Sequence, residues 1–199
     1  MSDLLKKIEL LEREVEHLTE ERRFTMSTLD MAATLLTFDT PPTEQVEIQQ
    51  VLDETACKIL SMLNFEALCF YLINEEDASF VPVYAEPEEL FTSLEERVDK
   101  LIENQTFAWA LGRNKPVRVS GDKEESPLLL HSIATSSHTH GMFIGVPLEG
   151  LDEFEFPLPL LTLVLHSCAT IIENAQLYRQ MMQSNRKLQQ QVQKLSGAI

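Results

Sequence analysis

Five histidines and three cysteines are the side chains with the widest chemical range in this sequence. His138 and His140 are two apart in Ser136-Ser137-His138-Thr139-His140-Gly141, so on an extended backbone their imidazoles share a face, the beginning of a metal site. Neither a cysteine nor a third histidine lies near them, and the Ser/Thr/Gly setting reads better as a solvated turn. His131 interrupts an apolar strand. It is expected in the core or on a pocket wall, where it would be a pH-sensitive donor to an anionic ligand. His166 stands beside Ser167 and Cys168 with no base or nucleophile to work with, which points to helix packing.

Cys57, Cys69 and Cys168 are odd in number, widely spaced and set in apolar surroundings, without CxxC or Cys–His spacing. They are expected to be buried free thiols of a reducing compartment. The carboxylate pairs Glu75-Glu76, Glu88-Glu89 and Glu124-Glu125 fall in turns and loops, where solvation accounts for them. The sequence contains no Gly-rich phosphate loop, G-x-S-x-G or HExxH, and its six glycines leave little material for a backbone cradle. No catalytic residue and no metal ligand is expected, and nothing identifies a cofactor.

Charge narrows the partners. Sixteen Lys and Arg stand against 32 Asp and Glu, a net −16, which disfavours nucleic acid and anionic membrane surfaces alike. No apolar run reaches the roughly 18 residues of a membrane span, and Met1-Ser2-Asp3-Leu4 does not open a signal peptide. The expected location is the cytoplasm. A hydrophobic content of 44% suffices for one core of about 100–150 residues with appendages.

The elements that would position these residues follow from period and punctuation. Residues 46–63 carry Ile48, Val51, Leu52, Ala56, Cys57, Ile59, Leu60 and Leu63 on a broad helical face, with Thr40 or Thr43 to cap it. Ala67-Leu68-Cys69-Phe70-Tyr71-Leu72-Ile73 reads as a strand buried on both faces. Residues 79–84 return as a second strand, and Pro82, lacking an N–H, puts it at an edge. Ser93 with Glu96 fits a capping box ahead of Val98, Leu101 and Ile102. Residues 106–111 form a short helix with Trp109, ending at Gly112. Lys115-Pro116-Val117-Arg118-Val119 is a short strand, followed by an acidic, mobile loop at 121–127. Two more strands, 128–135 and 142–148, flank the histidine turn as a hairpin. After an acidic, Phe-bearing loop at 151–156, a last helix begins at Pro159, apolar at its start and Gln-rich at its end. Helices and antiparallel strands segregate, so the fold class is α+β, a sheet of five or six strands backed by helices.

Both ends carry heptads. Near the N-terminus Leu4, Leu11 and Leu18 repeat at d while Ile8, Val15 and Leu29 repeat at a, with Arg22 interrupting the seam. β-Branched a residues over Leu at d favour a parallel pair. The stripe is also too narrow for a helix lying on its own core. In the last helix Tyr178, Asn185 and Val192 fall at a, and Met181, Leu188 and Leu195 at d. Asn185, polar at an a position, is a device for in-register pairing. These residues are the expected interface of a parallel homodimer.

Several strings in this order resemble the GAF domain, the PAS-like small-molecule sensor of signalling proteins. They are the 67–73 strand with its acidic turn, Trp109-Ala110-Leu111-Gly112-Arg113-Asn114-Lys115-Pro116-Val117, Gly141-Met142-Phe143-Ile144-Gly145-Val146-Pro147-Leu148, and Ala169-Thr170-Ile171-Ile172-Glu173-Asn174-Ala175-Gln176-Leu177-Tyr178. The resemblance implies a coiled-coil helix at 1–39, a sensory domain at 43–180 and a signalling helix at 181–199. It also implies a neighbouring PAS, kinase or cyclase domain. Lys194-Leu195-Ser196-Gly197-Ala198-Ile199 is similar to the lead-in of a following PAS domain, so the chain reads as the front of a longer protein or as a complete short one. The Asn-Lys-Phe-Asp-Glu set of cyclic-nucleotide members finds no place here, nor do the loop cysteines of bilin-attaching and sulfoxide-reducing members.

In such an architecture residues 91–111 roof the sheet face that the core helices leave open. Strand alternation separates His131 and Ile133 from Ser132 and Ala134. The small residues suit close helix packing, so His131 and Ile133 are assigned to the roofed side, with Phe70, Leu72 and Trp109 completing a small-ligand pocket. The expected function is a non-enzymatic sensory and dimerisation module that binds a small ligand or partner and relays the change along its coils. The alternative is a ligand-free dimerisation module in which the same residues fill a core.

Overall fold

A computed structural model describes residues 47–74, 76–121, 125–148 and 158–196, with isolated positions before them, and divides the chain into two compact units, Met1–Thr37 and Phe38–Ile199. In the first unit the described residues Arg13, Val15, Leu18, Thr19, Arg22 and Ala33 are helical and exposed. Leu4, Ile8, Leu11 and Leu29 of the expected seam lie outside the described residues, as do the 151–156 loop and the centre of the 121–127 loop.

The second unit runs α1 (Ile48–Met62), β1 (Phe65–Ile73), β2 (Phe80–Glu86), a 3-10 turn (Glu88–Leu90), α2 (Phe91–Glu103), α3 (Thr106–Leu111), β3 (Val117–Val119), β4 (Leu128–Ala134), β5 (Thr139–Pro147) and α4 (Leu158–Ser196). This is the expected α+β class with five strands, ordered β2-β1-β5-β4-β3 and antiparallel at every pairing. β2 lies at an edge, as a strand containing Pro82 must. Pro82 sits opposite Tyr71, next to a register shift between Phe70 and Tyr71.

β5 occupies the centre of the sheet, and β1 approaches its glycines closely. A Cβ on Gly141 would overlap the Tyr71 carbonyl of β1, and one on Gly145 would overlap the Phe65 ring. Phe65 instead stands edge-on to Phe143, ring centres 5.6 Å apart. β4 is buried along its whole length, and β5 everywhere but its first residue. Such strands need cover on both sides. α1 and α4 supply one cover, α2 and α3 the other.

Local details depart from expectation in four places. α1 starts after Glu47, which makes no side-chain cap. α2 starts at Phe91 behind the 3-10 turn, so Ser93 lies inside the helix and caps nothing. Cys57 is exposed, since the buried face of α1 runs through Val51, Leu52, Thr55, Ala56 and Ile59, and position 57 points away from it. β5 begins at Thr139, which places His140 within the strand.

α4 is one continuous helix of 39 residues. By length and hydropathy its stretch Leu158–Gln193 could cross a membrane, but 44% of the apolar window is buried inside the protein. Leu160, Leu161, Val164, Leu165, Cys168, Ala169 and Ile172 are spent on the core.

Candidate functional site

The roofed face of the sheet is built from alternate residues of three strands. Ala67, Cys69 and Tyr71 of β1, Leu128 and Leu130 of β4, and Met142, Ile144 and Val146 of β5 pack against Leu94, Val98, Leu101, Phe107 and Ala110 of the roof helices. The expected pocket assignment is therefore inverted. Phe70, Leu72, His131 and Ile133 have the opposite parity and lie on the face backed by α4. Phe70 packs on Phe143 and Tyr84, each 5.6 Å between ring centres. Trp109 does not join them; it is 52% exposed on the outside of α3, with Arg113 4.2 Å above its ring. Five residues expected together are thus divided between two places.

The physical reason lies in what each face offers a polar group. α4 presents Thr162 to the sheet, 3.0 Å from His131 Nε2, while His131 Nδ1 donates to the Ser132 carbonyl at 2.7 Å. Burial lowers the pKa of His131, so the ring is neutral and its one proton sits on Nδ1. Nε2 then accepts from the Thr162 hydroxyl, whose proton is shared with the Leu158 carbonyl 3.2 Å away. On the other face Ser132 donates to Asn114 Oδ1 at 3.1 Å, in the segment after α3. The small residue turned toward the roof and the imidazole toward the helix.

Two more histidines tie the β4–β5 hairpin to α4. His166 Nδ1 donates to the Ala134 carbonyl at 3.1 Å. His138 Nδ1 lies 2.8 Å from Glu173 Oε1, which also accepts from Ser137 Oγ at 3.1 Å. Those contacts, led by the one from His138, hold the Glu173 carboxyl below its usual range. Beside them is an open cleft of about 260 Å³ lined by Ile73, His138, Thr139, His140, Glu173, Gln176, Leu177 and Gln180. A neighbouring recess of about 460 Å³ shares Ile73, His140, Gln176 and Gln180 and extends to Glu76, Arg179 and Ile48. The rings of His138 and His140 are 6.3 Å apart. Among the described residues no group of three or more His, Cys, Asp or Glu converges as a metal would need.

Sequence reasoning missed the Tyr71 hydroxyl, which is buried on the roofed face with no hydrogen-bond partner among the described residues. It also missed Arg97, whose guanidinium faces Glu125 beside a cavity under α2. An Arg at the helix position next to Glu96 and Val98 looks like surface; only its burial shows otherwise. Cys69 and Cys168 are deeply buried, and burial pushes both thiols up, Cys168 to about 11, so neither is a nucleophile.

Beyond Ala175 the character of α4 changes. Leu177, Met181, Leu188 and Val192 are each more than half exposed, at 56%, 52%, 56% and 64%. Tyr178 is half-buried and Asn185 exposed. Asn185, Leu188, Gln189, Val192 and Gln193 line one shallow groove. The side chain of Leu195 lies outside the described ones.

No protein-family profile and no curated protein sequence matches this chain. Solved structures do. A GAF domain from Pseudomonas syringae pv. tomato aligns with a TM-score of 0.54 at 14% identity, over 85% of this chain and 99% of that one. The GAF domain/HD domain protein from Geobacter sulfurreducens aligns with a TM-score of 0.49 at 11% identity, over 67% and 97% of the two chains. The GAF domain of a two-component sensor histidine kinase from Bacillus halodurans aligns with a TM-score of 0.46 at 14% identity, over 67% and 99%. The match over nearly all of the Pseudomonas domain shows that this chain, with its five-stranded antiparallel sheet between helices, has the GAF fold.

Proposed function

We propose that this chain is a cytoplasmic sensory and dimerisation module of a signal-transduction protein, in which two copies pair in parallel through α4. A change at the sheet then passes along that helix to an output domain such as a PAS, kinase or cyclase domain. One observation carries the reading: α4 is the floor of the sheet over its first half and an exposed, heptad-patterned rod over its second, without a break. A helix cannot shift at one end only, so displacement against the sheet reaches the seam. Three histidine contacts to β4 and its turn make that floor a discrete, hydrogen-bonded joint, the kind of packed interface that switches between arrangements.

Site-directed cross-linking tests it. In a Cys57→Ser background, Met181→Cys, Leu188→Cys and Val192→Cys are each oxidised separately. Parallel, in-register pairing makes all three variants form disulfide dimers, since each residue meets its own copy. An antiparallel pair would cross-link at one level at most, and a monomer at none; either result overturns the reading.

A second reading, a ligand-free dimerisation module, has its own support. The roofed face, where a ligand would be expected, is occupied by the chain's own side chains. Against it stands the Tyr71 hydroxyl, a buried donor with no partner among the described residues, which a bound water or ligand would satisfy.

A further inference from the structure

Arg97 lies on the inner side of α2, and its side chain is only 14% exposed. A buried guanidinium calls for planar, paired acceptors, and here it is served poorly. Its Nη2 donates to the Ser126 carbonyl. Its Nε lies 3.3 Å from Glu125 Oε2 but is out of line with it, and is buried with no hydrogen-bond partner among the described residues. Glu125 is itself 37% exposed and shared with Lys100, whose Nζ is 3.8 Å from its other oxygen. Directly beside Arg97 is a cavity of about 130 Å³, walled by Ala67, Leu90, Leu94 and Val146, with Ser93 among the lining and Glu66 at the solvent-exposed rim. That is room for about four water molecules.

We infer that Arg97 and Lys100 form a carboxylate-binding site in which Glu125 stands in for a ligand, and that the ligand class is a short-chain monocarboxylate. The chemistry of the cavity selects it. Once Glu125 is displaced, a carboxylate at the mouth of the cavity can meet the Arg97 fork, Nε included, in the paired geometry that Glu125 misses. Its short alkyl tail would lie against Ala67, Leu94 and Val146. A dicarboxylate would bring its second charge against Glu66, and a long chain would outgrow the space. Binding displaces Glu125 from Arg97 and so loosens the connection into β4, the strand that His131 and the hairpin couple to α4. The inference rests on the sensory reading for its consequence and not for its chemistry. Carboxylate binding can fail while the cysteine cross-links form, and the reverse.

The test is thermal-shift titration of the full chain with sodium acetate, propionate and butyrate against sodium chloride at matched ionic strength. Wild type is expected to show a weak, carboxylate-dependent rise in melting temperature. Glu125→Gln, which removes the competing charge, should bind propionate about tenfold more tightly, the factor that 1.4 kcal/mol represents. Arg97→Lys keeps the charge, loses the fork and should lose the response. Should that variant not fold, propionamide offered to Glu125→Gln replaces it, and the uncharged amide should have no effect. No response of Glu125→Gln beyond that to chloride, or an equal response to propionamide, overturns the proposal.

Discussion

His131 places an ionisable ring at the point where the sheet meets the helix that closes the fold. The folded protein holds it neutral because burial lowers its pKa, whereas the unfolded chain protonates it near 6.5. With the folded value below the unfolded one, the unfolded state binds the extra proton as pH falls through about 6.5, and stability drops from there downward. His131→Gln, which keeps a hydrogen-bonding group toward Thr162, should flatten that part of the profile. The check is urea denaturation between about pH 7 and pH 5, where one such group contributes at most about 1.4 kcal/mol per pH unit. A wild-type midpoint independent of pH over this range, or an unchanged slope in the variant, contradicts a buried neutral imidazole. That His131 is a strand residue is legible in the sequence, because one polar group interrupts an apolar run. Which way it faces is not. Alternation separates His131 and Ile133 from Ser132 and Ala134 but carries no sign. The sign is set by distant partners, Thr162 on α4 and Asn114 after α3, that no local pattern announces.

Elements were more legible than directions, for a physical reason: period and punctuation are local, while faces are settled by packing. Pro82 alone predicts the edge position of β2, and Gly112 the end of α3. The roles of the glycines inside β5 were hidden, since their demand comes from β1. Gly141 faces the Tyr71 carbonyl so closely that any Cβ must displace backbone, whereas a Cβ on Gly112 meets nothing nearer than the Trp109 carbonyl at 3.8 Å. Gly112 also has ordinary helical dihedrals. Gly141→Ala should therefore cost about 1–3 kcal/mol, as overpacking does. Gly112→Ala should be neutral or stabilise by up to about 1 kcal/mol through the unfolded state. Denaturant midpoints of the two variants, measured side by side, decide it, and equal effects would mean that β1 and β5 are not in this register.

At the scale of the whole molecule, the proposed seam and the overall charge oppose each other. Each chain carries −16, so pairing two copies brings like charges together across the entire surface and not only at the coil. Leu177, Met181, Leu188 and Val192 supply an apolar stripe whose burial is nearly indifferent to salt, while repulsion between the chains is screened over about 10 Å at 0.1 M salt. Added salt removes the opposing term and leaves the favourable one. Self-association should accordingly tighten as sodium chloride rises from about 0.05 M to about 0.5 M, as repulsive self-charge is progressively screened. Sedimentation equilibrium of the full chain measures it directly. Weakening with salt would mean that ion pairs between copies outweigh both the net charge and the stripe. In that case the seam, and with it the path from the sheet through α4, would have to be sought on a different face of the helix. Asn185 refines the same argument, because it sits exposed between Met181 and Leu188 at the level where a paired copy would bury it. Asn185→Leu should tighten association at every salt concentration while leaving the slope against salt unchanged, since it alters the apolar term alone.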